Sequence, residues 1–190
     1  MRITGGQLKG RVLFSPRGMQ IRPTSDRVRE AIFNIIGQDL SGKRVLDLFA
    51  GTGSMGLEAL SRGAACVLFI DSSAQSVSLT EKNLALCGHQ DSGTILRKDL
   101  RKGICLDHPL LKQEYDLAFL DPPYRKSFIP LLLKHISYNG ILSTRSSVIA
   151  ESGKTENLPP LCGNFEMLDS RLYGDTKVSF YGYRAEVQIS

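Results

Sequence analysis

Between positions 28 and 36, Val28, Ala31, Ile32, Ile35 and Ile36 take the i, i+3, i+4, i+7, i+8 spacing of one buried helix face. Thr24 stands where such a helix would be capped and Gly37 where it would end. Arg27, Arg29 and Glu30 lie off the stripe, turned toward solvent or a ligand. From Arg44 the period changes. Short runs that are apolar on both faces ("RVLDLFA", "CVLFID", "GTILRKD", "YDLAFLD", "SSVIAES") alternate with helical segments. Those segments run from about Ser54 to Arg62, from about Ser73 to Cys87, and around "KSFIPLLLKHI". Strands with no polar face need cover on both sides, and an intervening helix supplies the crossover that parallel pairing requires. The class is α/β, doubly wound.

The two ends read differently. "RITGGQLKGRVLFSP" predicts two short strands around a glycine-rich turn, and "FEMLDSRLYGDTKVSFYGYRAEV" predicts two extended runs joined at Gly174-Asp175. With no helix between them, the last two strands must be antiparallel. The length of 190 residues suits one domain, with a hairpin extension over 1–20 and a core over 44–185.

Composition is that of a globular protein, 42% hydrophobic and 23% charged, with no run near the ~18 apolar residues that span a membrane. The start "MRITGGQLKG" lacks the apolar core of a signal peptide, so cytoplasmic residence is expected. Cys66, Cys87, Cys105 and Cys162 show no C-x-x-C spacing, and His89, His108 and His135 form no ligand pattern beside them. Neither metal nor disulfide is expected. The formal charge of +5 becomes informative once located. Residues 1–29 hold seven cations (Arg2, Lys9, Arg11, Arg17, Arg22, Arg27, Arg29) against Asp26 alone, a net +6, which leaves −1 for the rest. A basic segment on a balanced body is the footprint of a surface that meets phosphates, and Arg11, Arg17, Arg22, Arg27 and Arg29 are its candidate contacts.

"DLFAGTGSMGLEAL" places Gly51, Gly53 and Gly56 between a strand and a helix, with Asp71 twenty residues beyond Gly51 at the next strand end. That pattern fits a dinucleotide. Asp47 argues otherwise. A carboxylate immediately before the loop would repel a pyrophosphate by roughly 1 to 4 kcal/mol at ~4 Å, and would attract ammonium and sulfonium groups. S-adenosylmethionine fits, with Asp71 accepting from the ribose hydroxyls and Asp99 reaching the adenine. The candidate cofactor set is Asp47, Phe49, Gly51, Gly53, Asp71 and Asp99. Asp47 and Asp71 could also serve as helix caps, a role that can coexist with ligand binding.

"LDPPY" ends the run "YDLAFL" with an acid, two prolines and a ring, Asp121, Pro122, Pro123 and Tyr124. Ligands of open α/β sheets bind beyond the carboxyl ends of strands. Asp121 and the Pro122 carbonyl could accept the two N–H bonds of an exocyclic amine. They would then favour its developing positive charge in a methyl-transfer transition state, while Tyr124 stacks on the base. The same residues are also good turn chemistry.

In combination, "RITGGQLKGR", "RPTSDRVREAIFN", "LDLFAGTGSMGLEALSRGA", "FLDPPY" and "YGDTKVSFY" resemble the RsmD-type bacterial 16S ribosomal RNA guanine-N2 methyltransferases over nearly the whole chain. The first two segments are the most specific, because glycine loops and "DPPY" also occur in amino-methyltransferases acting on DNA and protein. The resemblance implies a Rossmann-like class I fold with a seven-stranded, mostly parallel sheet, an antiparallel C-terminal strand and a small N-terminal hairpin. It further implies S-adenosylmethionine as donor and guanine 966 of 16S RNA as acceptor, in a small ribosomal subunit or its assembly intermediate, acted on by a monomer. Other readings are an NAD-dependent oxidoreductase, an adenine-N6 methyltransferase and a non-enzymatic RNA-binding module.

Overall fold

The computed structural model describes residues 1–15, 25–104, 106–123 and 128–184. Thr24, Arg17, Arg22, Cys105 and Tyr124 therefore lie outside the described residues. Two compact units divide the chain, Met1–Asp99 and Leu100–Ser190.

In the first unit, α1 (Asp26–Ile36) is capped by Ser25, whose hydroxyl accepts from the Val28 N–H at 3.2 Å. The buried residues of α1 are Val28, Arg29, Ile32 and Phe33, so the buried face is turned from the expected stripe: it takes in Arg29 and leaves Ala31, Ile35 and Ile36 part-exposed. Three parallel strands follow in the order β3-β2-β1: β1 (Arg44–Leu48), β2 (Cys66–Asp71) and β3 (Gly93–Arg97). The register pairs Asp47 with Phe69 and Asp71 with Arg97. Between the strands run α2 (Ser54–Ser61) and α3 (Ala74–Cys87), as the alternation of the sequence requires. Every residue of α2 is buried, Glu58 included.

The N-terminal residues pair only through a single antiparallel bridge, Arg2 with Val12, flanked by Ile3 N–H to Arg11 O at 2.9 Å and Leu13 N–H to Met1 O at 3.1 Å. This turn owes its position to α2. The Glu58 carboxylate accepts from the Thr4 N–H at 2.8 Å, the Gly5 N–H at 2.7 Å and the Arg62 guanidinium at 2.8 Å, and Arg29 Nε stands 3.6 Å away. The Ser61 hydroxyl donates to Gly5 O at 2.7 Å. Gly5 and Gly6 do more than turn the chain: a Cβ on Gly5 would lie 2.3 Å from Arg62 Nη2, and one on Gly6 1.9 Å from Ser61 O.

In the second unit a 3₁₀ turn (Pro109–Lys112) precedes β4 (Tyr115–Leu120), α4 (Phe128–Tyr138), β5 (Leu142–Gly153), β6 (Leu161–Cys162), β7 (Phe165–Tyr173) and β8 (Thr176–Tyr183). The strand order is β4-β5-β8-β7-β6, with β4 and β5 parallel and the remaining pairs antiparallel. The β7–β8 hairpin closes through Gly174-Asp175, as expected, with Gly174 at a φ of 64° and Tyr173 paired to Thr176. Eight strands occur among the described residues, one more than expected. The extra one is β6, two residues paired to β7, too short to register in the hydrophobic pattern.

Glu58, Arg29 and Arg62 are each essentially inaccessible, so truncating the acid would take the buried carboxylate away from Arg62 and leave Asp26 as the acid beside Arg29. Such losses cost about 3 to 5 kcal/mol. Glu58→Ala is expected to lower the urea unfolding free energy by about 3 kcal/mol or more; a loss under about 1 kcal/mol would show that the cluster contributes little.

Candidate functional site

At the end of β1, Asp47 is only 3% exposed and its Oδ2 accepts the Gly56 N–H at 2.9 Å. Gly56 is the third residue of α2, whose N-cap Gly53 has no side chain to offer. Asp47 thus caps that helix from the neighbouring strand, the structural alternative noted from the sequence. Burial, with a smaller contribution from the Asp71 charge, pushes its carboxyl up to about 7 against the lowering effect of the Gly56 N–H. A carboxylate held in that condition gains from any cation brought beside it.

The glycines divide their work. A Cβ on Gly53 would meet Thr80 Cγ2 at 2.8 Å, and one on Gly56 would meet Phe69 Cε1 at 2.3 Å, so both positions are small to let α2 and α3 close on β2. Around Gly51 nothing but Phe49 O lies within 4 Å of a built Cβ, leaving room there for a ligand. The loop's amides are largely committed inside the protein. Gly51 N–H donates to Asp71 Oδ2 at 2.9 Å, Gly53 N–H to Ala50 O at 2.7 Å, and Ala50 N–H to Ile70 O at 3.0 Å. A pyrophosphate is held by unspent loop amides, so this loop suits it poorly.

Asp71 ends β2, part-exposed, with Oδ1 accepting the Ser73 N–H at 2.8 Å. Each of its oxygens thus accepts one backbone bond, and a carboxylate oxygen can take a second, so bracing the loop and receiving hydroxyls are compatible. Ser73, rather than Asp71, caps α3 through its side chain. Phe49 adopts a φ of 64°, the only non-glycine residue at positive φ among those described. A bulky residue held left-handed at a strand end is a strained bend. Asp99 lies two residues past β3 and is exposed. Thr80 and Asn83 of α3 escaped the sequence reading. Thr80 Oγ1 donates to Gly51 O at 3.1 Å and Asn83 Nδ2 to Thr52 O at 2.9 Å, so both brace the loop from a helix about thirty residues on. Polar residues on a buried helix face were the one available signal.

In the second unit, Asp121 follows the last residue of β4, part-exposed, with Pro122 buried and Pro123 exposed. Their position at a parallel strand's carboxyl end is the one expected.

Among the candidate phosphate contacts, Arg11 and Arg27 are exposed. Arg29 is not: it is fully buried, donates to Asp26 Oδ1 at 2.8 Å and to Arg2 O, and pairs with Glu58. The assignment of Arg29 to RNA is therefore corrected. The helical period left it off the apolar stripe, but the buried acid on α2 draws it inward.

The fold is the Rossmann-like class I methyltransferase fold, as comparison with solved structures shows. An Escherichia coli structure described as "Putative methyltransferase yhhF" superposes with a TM-score of 0.83 at 31% identity, covering 98% of this chain and 99% of that one. The family model described as conserved hypothetical protein 95 (Cons_hypoth95) matches residues 1–182, and the chain belongs to that family, the RsmD type. Its relatives include "Putative rRNA methyltransferase YlbH" of Bacillus subtilis, 36% identical over 97% of this chain and 100% of that protein. Ribosomal RNA small subunit methyltransferase D of Escherichia coli is 31% identical over 99% of this chain and 91% of that protein. No helix among the described residues is long and apolar enough to cross a membrane.

The raised Asp47 carboxyl has two measurable consequences. Moving it from 3.8 to about 7 corresponds to about 4 kcal/mol that favours the folded state below pH ~4 and is lost as pH rises to about 7. Asp47→Asn keeps an acceptor for Gly56 and removes the charge. It is expected to raise unfolding stability at pH 8 by about 2 kcal/mol while weakening S-adenosylmethionine binding tenfold or more, as checked by urea titration and calorimetry. In the unmodified protein, affinity for that ligand is expected to climb between about pH 6 and pH 8 as Asp47 ionises; a flat profile would separate Asp47 from the site.

Proposed function

We propose that the protein transfers a methyl group from S-adenosylmethionine to the exocyclic N2 amine of a guanine in 16S ribosomal RNA, the nucleotide at position 966. The observation that carries the cofactor reading is the buried, destabilised Asp47 beside a loop whose amides are largely committed within the protein, an arrangement that favours a cationic ligand over a pyrophosphate. The RNA reading is supported by membership of the RsmD-type family and by a relative whose name specifies small-subunit ribosomal RNA. Asp47, Phe49, Gly51 and Asp71 hold the cofactor in this reading, with Gly53 shaping the loop and Asp99 meeting the adenine.

When bound, S-adenosylmethionine supplies an electrophilic methyl carbon on a sulfonium sulfur. The residues of "DPPY" prepare the amine. Asp121 and the Pro122 carbonyl accept its two N–H bonds, which turns the nitrogen lone pair out of conjugation with the ring and stabilises the positive charge that grows on it. After transfer, the proton shed by nitrogen passes to Asp121 or to water. Pro122 and Pro123 fix the backbone so that this acceptor pair needs no reorganisation, and Tyr124 gives the base a face to stack on. Exposed Arg11 and Arg27, with Arg17 and Arg22, meet the phosphates, on the free 16S RNA or in a small-subunit particle.

Asp121→Ala is expected to reduce methyl transfer at least a thousandfold, about 4 kcal/mol of transition-state stabilisation, while S-adenosylmethionine binds within about twofold of normal. Radiolabel incorporation and calorimetry read the two quantities separately. Mass spectrometry of 16S RNA from cells with and without the gene would locate the modified base; an unchanged guanine-N2 inventory would overturn the proposed substrate.

A further inference from the structure

Along residues 9–14 the chain shows Lys9, Arg11, Val12 and Phe14 to solvent and buries Leu13 between them. Val12 and Phe14 are 66% and 53% exposed. An exposed ring is unremarkable by itself, but the backbone beneath this one is fixed. The Phe14 N–H donates to Asn83 Oδ1 at 2.8 Å, and Asn83 Nδ2 donates back to Phe14 O at 3.1 Å, the pair of bonds that a neighbouring strand would make. Asn83 is fully buried, and its Nδ2 also donates to Thr52 O in the glycine loop. One amide therefore fixes the backbone that carries an outward aromatic ring and the loop that shapes the proposed cofactor site.

We propose that Phe14 is a stacking platform for an unpaired nucleotide of the RNA, held in register with the cofactor loop by Asn83 as a positioning residue. The inference rests on the ribosomal RNA reading given above. The chemistry is matched on both counts: an unpaired base offers a flat apolar face to the ring, and exposed Lys9 and Arg11 on the same stretch of chain offer charge to its phosphates. Stacking tolerates any base, so Phe14 contributes affinity and register, and leaves the choice of target to the methyl-accepting pocket. Holding the ring's backbone in place before RNA arrives removes part of the ordering cost of binding.

The sequence has no tryptophan, so Phe14→Trp places a single indole at the platform. Titration with a 16S RNA transcript, and with small ribosomal subunits lacking the modification, is expected to quench that indole saturably. Phe14→Ala and Phe14→Leu are each expected to lose about tenfold or more in RNA affinity with unchanged S-adenosylmethionine affinity. Equal losses in the two variants separate ring stacking from apolar burial. Adding Asn83→Ala to the tryptophan variant is expected to lower the indole's fluorescence anisotropy and weaken RNA binding toward the Phe14→Ala level. An unquenched indole at saturating RNA, or Phe14→Leu binding as the native protein does, would overturn the platform and leave the methyltransferase reading standing. A native protein that binds S-adenosylmethionine but neither RNA form would overturn both.

Discussion

A single buried carboxylate, Glu58, organises the first unit. It gathers the backbone of Thr4 and Gly5, the guanidinium of Arg62 one turn along its own helix, and Arg29 from α1, with the three charged side chains buried. Taking an acid and two arginines out of water costs several kcal/mol for each ion, and the cost is met only because nearly every polar contact is filled by the others. Arg62 also lies 4.6 Å over the Phe33 ring, so the cation that balances Glu58 also covers an aromatic of the core. The cluster fixes where the basic N-terminal segment begins, and hence where its exposed cations and ring face outward.

The glycine loop after β1 is arranged on the opposite principle, with one acid left poorly satisfied. Asp47 is buried with its carboxyl well above the ordinary carboxylate range, because burial outweighs the Gly56 hydrogen bond. In the proposed function a cationic ligand beside Asp47 offsets that local cost. Thr80 and Asn83 pin the loop's carbonyls from α3.

Much of this was legible in the sequence. The alternation of apolar runs with helical segments located β1, β2, β4, α2 and α3 to within a few residues, because strands covered on both faces must be apolar throughout. The acids at strand ends were visible for the same reason: charge at the edge of an apolar run has few other places to go. What the pattern could not carry was pairing between distant residues. Arg29 looked like a surface cation because helical spacing compares a residue only with its own helix, while the acid that buries it lies 29 positions away on α2. The acid offered the better clue, since Glu58 sits in "SMGLEALS", an otherwise small and apolar helix. Likewise Ser25 displaced Thr24 as cap, a shift of one residue between two equally suitable side chains.

Phe49 bends the chain left-handed at the point where β1 gives way to the glycine loop. A phenylalanine in that conformation is strained by about 1 to 2 kcal/mol, and the strain is offset once, by the packing and hydrogen bonds formed as the protein folds. In the proposed function the cofactor therefore meets a backbone that has already turned, and none of its own interaction energy is diverted into bending the chain.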